Sequence, residues 1–239
     1  MSVNMQKITL IVPTRNEEKN IPAFLKSLPD ALKLIIVDSS SDHTVALIRR
    51  LRPDRTHIIQ KKCNIPQARQ TGAEAANSPW LLFSDADSSF DPDYFTRLNK
   101  LDVPPAVGAI MGAKLSLDRF KLYFKLYSLS IGLYARIGLP MGSGSNMLIR
   151  REALQKTGGF DPALSAGEDT YMLWQIKKAG YRVIYDGRLK VYETDHRRLE
   201  KGVFKKIFHG TGRAFMLFSG LGGKTVRKSD WGYWNKEPK

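Results

Sequence analysis

The chain has 239 residues, 42% of them hydrophobic and only one a cysteine, Cys63. That length supports one sizeable core, and the composition excludes a disordered basic polymer, a disulfide framework and a cysteine-built zinc site. Lys and Arg number 38 against 23 Asp and Glu, a net charge of +15, so the partners to weigh are anionic: nucleic-acid phosphate, a membrane surface or a small polyanion.

In chain order, Ile8 to Val12 reads as a β-rich run ended by Pro13, and residues 18–28 carry Ile21, Phe24, Leu25 and Leu28 at helical spacing. Leu34 to Val37 is a second buried-strand run ending at Asp38, after which Ser41 and Asp42 are placed to cap a helix through Arg52. His57 to Gln60 reads as a strand, residues 66–76 as a helix, and Trp80 to Phe83 as another strand running into Ser84-Asp85-Ala86-Asp87. Repeated strand-helix-strand units imply an α/β fold with a mainly parallel sheet, whose ligands gather at the carboxyl ends of the strands. Three polar clusters sit at those ends: Thr14 to Glu17, Asp38 to Asp42 and Asp85 to Asp87.

Further on, Val107 to Leu115 and Asn146 to Ile149 read as strands, and Arg151 to Thr157, Glu168 to Ala179 and Gly202 to Ser219 as helices. No repeat or linker divides the chain, so residues 1–239 are taken as one domain. At ~100° per residue, residues 119–137 place Phe120, Tyr123, Phe124, Tyr127, Ile131 and Tyr134 on one side of a helix. Leu122, Leu126, Leu129, Leu133 and Ile137 take the opposite side. Such a helix is either buried between two layers or meets a membrane interface or a second copy of the chain in a homodimer. The C-terminal stretch repeats the theme, with Phe204, Ile207, Phe208, Phe215 and Phe218 beside Lys205, Lys206 and Arg213, the composition of a peripheral membrane anchor. With no signal-peptide pattern and no apolar run of about 18 residues, the expected location is cytoplasmic, peripheral at the membrane face.

Asp85-Ala86-Asp87 places alternate carboxylates at a strand end, hard oxygen ligands suited to magnesium or manganese bridging two phosphates. An isolated Asp-Ala-Asp is more often a turn. Gly167-Glu168-Asp169 opens an amphipathic helix. Two acids there either offset the helix dipole or supply a general base that takes the proton of an attacking hydroxyl.

Six motifs occur in order: Ile-Val-Pro-Thr-Arg-Asn-Glu-Glu (11–18), Ile-Ile-Val-Asp-Ser-Ser-Ser-Asp (35–42), Ala-Arg-Gln-Thr-Gly (68–72), Phe-Ser-Asp-Ala-Asp (83–87), Gly-Gly-Phe-Asp (158–161) and Gly-Glu-Asp (167–169). Together they resemble family 2 of the inverting, nucleotide-sugar-dependent glycosyltransferases with the GT-A fold, over roughly residues 8–200. The resemblance implies that Pro13, Thr14, Asn16 and Glu17 surround the nucleoside, Asp38 meets the base, and Arg69 lies near the base and diphosphate. It makes Asp85, with Ala86 beside it, the ribose-side acid, Asp87 the ligand of a Mg or Mn ion, Asp169 the general base and Glu168 its support. Residues of about 1–100 then form the nucleotide-binding half, about 101–198 the acceptor half and about 199–239 a basic amphipathic segment.

The sequence departs from the family around Thr194-Asp195-His196-Arg197-Arg198. His196 lies near the place of a metal-ligating histidine, and Arg197 and Arg198 resemble an arginine pair that faces the diphosphate; the alternative for the run is a plain basic turn. The implied donor is a nucleotide diphosphate sugar, UDP-sugar ahead of GDP-sugar, and the two apolar-basic segments suggest a lipid-linked acceptor. A nucleotidyltransferase is disfavoured because Thr14 to Glu18 lacks the glycine-rich loop it would need. Nucleic acid is not an expected partner, because strand-end acids oppose phosphate unless a metal intervenes. A non-catalytic nucleic-acid binder or glycosyltransferase-like protein remains the alternative.

Overall fold

A computed structural model describes residues 3–200, 202, 203 and 212. Of the helix expected over Gly202 to Ser219 only Gly202, Val203 and Gly212 are described, and the rest of it, the basic segment beyond it and the side chains of Arg197 and Arg198 lie outside the described residues.

Strands β1 (Ile8–Thr14), β2 (Lys33–Asp38), β3 (Thr56–Gln60) and β4 (Trp80–Phe83) alternate with helices α1 (Ile21–Lys26), α2 (Thr44–Leu51) and α3 (Ile65–Ala75). Strands β1, β2 and β4 are apolar and buried on both sides, as strands covered by helices on both faces must be. They pair in parallel, β1 lying between β2 and β4, with β3 beyond β2. Pro13 does not end β1: pairing with β4 stops at Ile11 opposite Phe83, and Pro13 continues opposite Val37 on the β2 side alone. Its missing N–H therefore sits where the β4 ladder has already finished.

The second half completes an eight-stranded sheet in the order β3-β2-β1-β4-β7-β6-β8-β5. It contains β5 (Ser88–Phe90), β6 (Val107–Leu115), β7 (Met147–Arg150) and β8 (Arg182–Glu193), with helices α4 (Tyr94–Asn99), α5 (Lys121–Arg136), α6 (Arg151–Lys156), α7 (Glu168–Lys178) and the turn α8 (Arg197–Glu200). Strand β7 runs antiparallel between β4 and β6, β8 lies parallel to β6, and β5 closes the edge antiparallel to β8. One core layer joins Phe24, Leu28, Phe90, Tyr94 and Leu98. The other joins Ala68, Ile131, Phe160, Leu173 and Ile176 on the opposite face.

Two local features set the site. Helix α3 opens with a reciprocal capping box between Asn64 and Gln67, and Gly72 lets it lie close on the sheet, since a Cβ there would come 2.4 Å from Ile11 Cγ2. Arg69, three residues earlier on the same face, is thereby carried inward. Helix α7 begins after Gly167 at φ 73°, a left-handed conformation that glycine adopts without strain, and this turn aims Glu168 and Asp169 toward the strand ends.

Candidate active site

The loops after β1 and β2 are locked together. Asp38, 2% exposed, accepts from Thr14 Oγ1 at 2.6 Å, from Ser40 N at 3.0 Å and from Ser40 Oγ at 2.7 Å. Asn16 donates its backbone N–H to Ser40 Oγ at 2.8 Å, and its side-chain oxygen accepts from Ser41 N at 2.9 Å. Glu17 N donates to Thr44 Oγ1, while its carboxylate accepts from Asn20 Nδ2 at 2.7 Å. Asp42 Oδ1 accepts from both Thr44 N and Thr44 Oγ1, while His43, not Ser41 or Asp42, stands at the N-cap of α2. Satisfied polar networks of this kind fix loop geometry before a ligand arrives.

The centre of the site is Arg69. Only 2% exposed, it donates from Nη2 to Asp85 Oδ1 at 2.9 Å and from Nη1 to Glu168 Oε1 at 2.5 Å. Burial opposes its charge, but Asp85, Glu168 and Asp169 outweigh that and hold the guanidinium protonated. The fork thus joins the acid after β4 to the acids opening α7, and Glu168 lies 99 residues beyond Arg69 itself. Gly144 lies against the same guanidinium, where a Cβ would fall 2.0 Å from Nη2, and Gly144 N donates to Asp169 Oδ2 at 2.9 Å. The loop Pro140 to Asn146 therefore covers both Arg69 and Asp169. Burial first and the neighbouring Glu168 second push the Asp169 carboxyl up to about 6, although Arg69 and the N–H groups of Thr170 and Gly144 work the other way.

Asp87 is fixed from behind, its carbonyl accepting from Thr194 N at 2.8 Å and Thr194 Oγ1 at 2.6 Å where the chain leaves β8. A second buried cation, Lys114 of β6, pairs with Glu193 of β8. Burial opposes the Lys114 charge, and Glu193, Asp87 and Asp85 raise its pKa above the ordinary lysine value. Neither Lys114 nor Glu193 is among the sequence-derived candidates. The signal was present, because Lys114 is the single charged residue in an otherwise apolar run from Val107 to Leu115.

The structure brings together Asp85, Arg69, Glu168 and Asp169, and separately Thr14, Asn16 and Asp38. His196 is 5% exposed and directs Nε2 to Asp118 Oδ1 at 2.8 Å and Ser116 Oγ at 3.4 Å, between the rings of Phe120 and Phe124. Among the described residues no three His, Cys, Asp or Glu side chains gather around one point, and His196 Nε2 is taken up by Asp118 and Ser116. Arg197 and Arg198 open α8.

Residues 9–158 match the model of glycosyl transferase family 2. The chain belongs to that family. The matched stretch includes Asp38, Arg69, Asp85 and Asp87 and ends before Glu168 and Asp169. The pre-mycofactocin glycosyltransferase of Mycobacterium tuberculosis is 25% identical over 225 residues, which is 85% of this chain and 46% of that protein. Succinoglycan biosynthesis protein ExoA of Rhizobium meliloti is 24% identical over 226 residues, 86% of this chain and 68% of that one. The chain thus spans about half the length of the first of these relatives. Among solved structures, the mannosyltransferase PcManGT from Pyrobaculum calidifontis, in complex with GDP-mannose and Mn2+, superposes with a TM-score of 0.68 at 23% identity, covering 90% of this chain and 64% of its own. TarS 1–349 of S. aureus in complex with UDP-GlcNAc gives 0.68 at 15%, covering 96% and 76%. At these identities the likeness is one of fold, and the fold is GT-A.

Proposed function

We propose that this glycosyltransferase moves a sugar from a nucleotide diphosphate sugar to an acceptor hydroxyl by a single displacement that inverts the anomeric centre. The observation that carries the reading is the Arg69 fork, which draws the strand-end acid Asp85 and the helix-opening acid Glu168 into one site. Glu168 is engaged by the guanidinium, which leaves Asp169 as the base, oriented by Gly144 N on Oδ2 and Thr170 N on Oδ1. A carboxyl pushed up to about 6 is ionised at neutral pH yet more basic than an ordinary aspartate, the poise that general-base catalysis favours. The Thr14, Asn16 and Asp38 loops are assigned to the nucleoside, and Arg69 to the diphosphate side.

The residues present fit a divalent metal. Magnesium and manganese are commonly held by one or two carboxylates, with phosphate oxygens and water completing the shell, and Asp87 with Asp85 is such a donor set. Bound there, Mg or Mn supplies charge that stabilises the departing diphosphate. The Arg69 guanidinium adds charge on the same side, and Lys114 sets the field behind both acids. The PcManGT complex with GDP-mannose and Mn2+ and the TarS complex with UDP-GlcNAc support a metal and either a UDP or a GDP donor. The acceptor is assigned to a lipid-linked hydroxyl at a membrane surface.

The test is release of nucleoside diphosphate from UDP-, GDP- and dTDP-sugars with and without Mn2+. One donor should be cleaved in a metal-dependent way. Asp87→Ala and Asp169→Asn should each lower the rate by about 10²–10⁴-fold while the protein stays folded. A donor cleaved equally well by Asp169→Asn would remove that residue from the base role.

A further inference from the structure

We infer that the outward face of α5 and the cleft at its carboxyl end form a docking surface for an anionic phospholipid bilayer, with a lipid phosphate seated in the cleft. The inference deepens the lipid-acceptor part of the reading above and rests on it for its purpose, though not for its observations.

Helix α5 packs its Phe124, Ser128 and Ile131 side inward. The opposite side leaves Leu122 68%, Leu126 57%, Leu129 61%, Leu133 59% and Ile137 62% exposed. Large apolar side chains this exposed and this contiguous mark a surface that something covers. Charge selects what covers it. Residues 119–137 contain Arg119, Lys121, Lys125 and Arg136 and no acid. The nearby acids are already engaged: Asp118 by His196, Glu200 by Arg119 and Asp186 by Arg188.

Leu129 and Leu133 also line a cleft of about 500 Å³ between α5, the end of α7 and the start of β8. Its walls include Val183 and Tyr185, and its cations are Arg136, Lys177 and Arg182. Lys177 Nζ donates to the Gly138 carbonyl and lies over the Trp174 ring at 5.2 Å. Among the described residues neither Arg136 nor Arg182 has an ion-pair partner, and both are exposed. An apolar wall with a cationic rim matches an acyl-glycerol edge carrying a phosphate.

A second copy of the chain fits less well. A two-fold contact sets the same patch against itself, here Lys121, Lys125 and Arg136 against one another, without an acid to separate them. An anionic bilayer satisfies leucines and cations together. The inner side of α5 touches the catalytic loop, where Tyr127 Oη donates to the Gly142 carbonyl at 3.4 Å and Gly142 N donates to Thr170 Oγ1 at 3.3 Å. Docking through α5 therefore holds the loop over Arg69 and Asp169 close to the lipid surface.

The experiment is sedimentation of the full chain with phosphatidylglycerol vesicles and with phosphatidylcholine vesicles, for wild type, Leu126→Glu/Leu133→Glu and Arg136→Glu/Arg182→Glu. Wild type should bind the anionic vesicles, and each double variant should lose about tenfold or more in affinity while keeping the wild-type melting temperature and rate of donor hydrolysis in solution. Unchanged binding by either variant overturns the inference, since the basic C-terminal segment would then carry the attachment. Equal binding to both vesicle types overturns it as well. So does a dimer in light scattering that Leu126→Glu/Leu133→Glu dissociates, which would make the face a subunit contact. If wild type cleaves no donor yet binds vesicles in the variant-sensitive way, the transferase reading fails and the docking surface stands.

Discussion

The well at the carboxyl ends of β1, β2 and β4 and the outer face of α5 handle charge in opposite ways. In the well, buried charge is met from within: Arg69 by Asp85 and Glu168, Lys114 by Glu193, and Asp38 by Thr14 and Ser40. On α5, leucines and cations share the surface with no acid in the helix. The contrast teaches that the fold itself supplies partners for the buried charges of the first region, whereas the second is covered only from outside. Substitution should therefore cost stability in the well and almost none on α5.

Arg69→Met should show the largest effect. Its removal leaves Asp85, Glu168 and Asp169 facing one another without the cation, and breaking such a buried arrangement costs about 3–5 kcal/mol. Urea unfolding reads it directly. Arg69→Lys should recover only part of the loss, because one ammonium cannot reproduce the two-armed fork to Asp85 and Glu168. Leu126→Glu, by contrast, should stay within about 0.5 kcal/mol of wild type. If Arg69→Met cost no more than Leu126→Glu, the distinction between the two regions would collapse.

The Lys114–Glu193 pair sharpens the same contrast. Lys114→Met strands a carboxylate that is 8% exposed and should cost about 2–4 kcal/mol, as should Glu193→Gln for the stranded ammonium. The double variant should be more stable than the two single losses predict, with a coupling of about 1–3 kcal/mol. Additive losses would mean that water reaches the pair and screens it.

How far the sequence carried these regions depends on the kind of signal. The strands β1 to β4 and the helix α5 were legible, because a run such as Leu34 to Val37 or an opposed leucine row announces itself by periodicity. Strand β8 carries no periodic mark: its Asp186, Arg188 and Lys190 break any apolar pattern, and the strand is held by the whole length of β6. The short β5 and α4 carry too few residues for a period. Insertion of β7 antiparallel between β4 and β6 is a tertiary choice with no local mark. In the site, the spacing of Asp85 and Asp87 was visible, but that Arg69 would be buried was not, since an arginine in an amphipathic helix ordinarily faces water. The close approach permitted by Gly72 turns it inward. His196 stood in a plausible sequence position for a metal, yet Asp118 and Ser116, some 80 residues earlier in the chain, hold its Nε2.

The smallest effect concerns Asp169 and runs against the usual sense of a damaging substitution. Its folded-state carboxyl is pushed from 3.8 up to about 6, so the folded protein binds a proton more readily than the unfolded chain between those values. By linkage, ionising Asp169 weighs against folding: the penalty is fully present above about pH 6, shrinks as pH falls through the window and is gone below the unfolded value. Asp169→Asn removes this penalty and leaves Glu168 free of a like charge, and it keeps a side-chain oxygen for one of the two N–H groups, since Gly144 N meets Oδ2 and Thr170 N meets Oδ1. The variant should therefore be more stable than wild type at pH 7.5 by about 1–2 kcal/mol, and the two should converge near pH 4, measured by urea unfolding at both pH values. Its activity should be lost across the range, whereas wild-type kcat/KM should fall as pH drops through about 6 and the base takes up its proton. A variant less stable at pH 7.5 would show that the two N–H bonds outweigh burial, and Asp169 would then belong with the self-satisfied part of the well and not with the part kept under tension for chemistry.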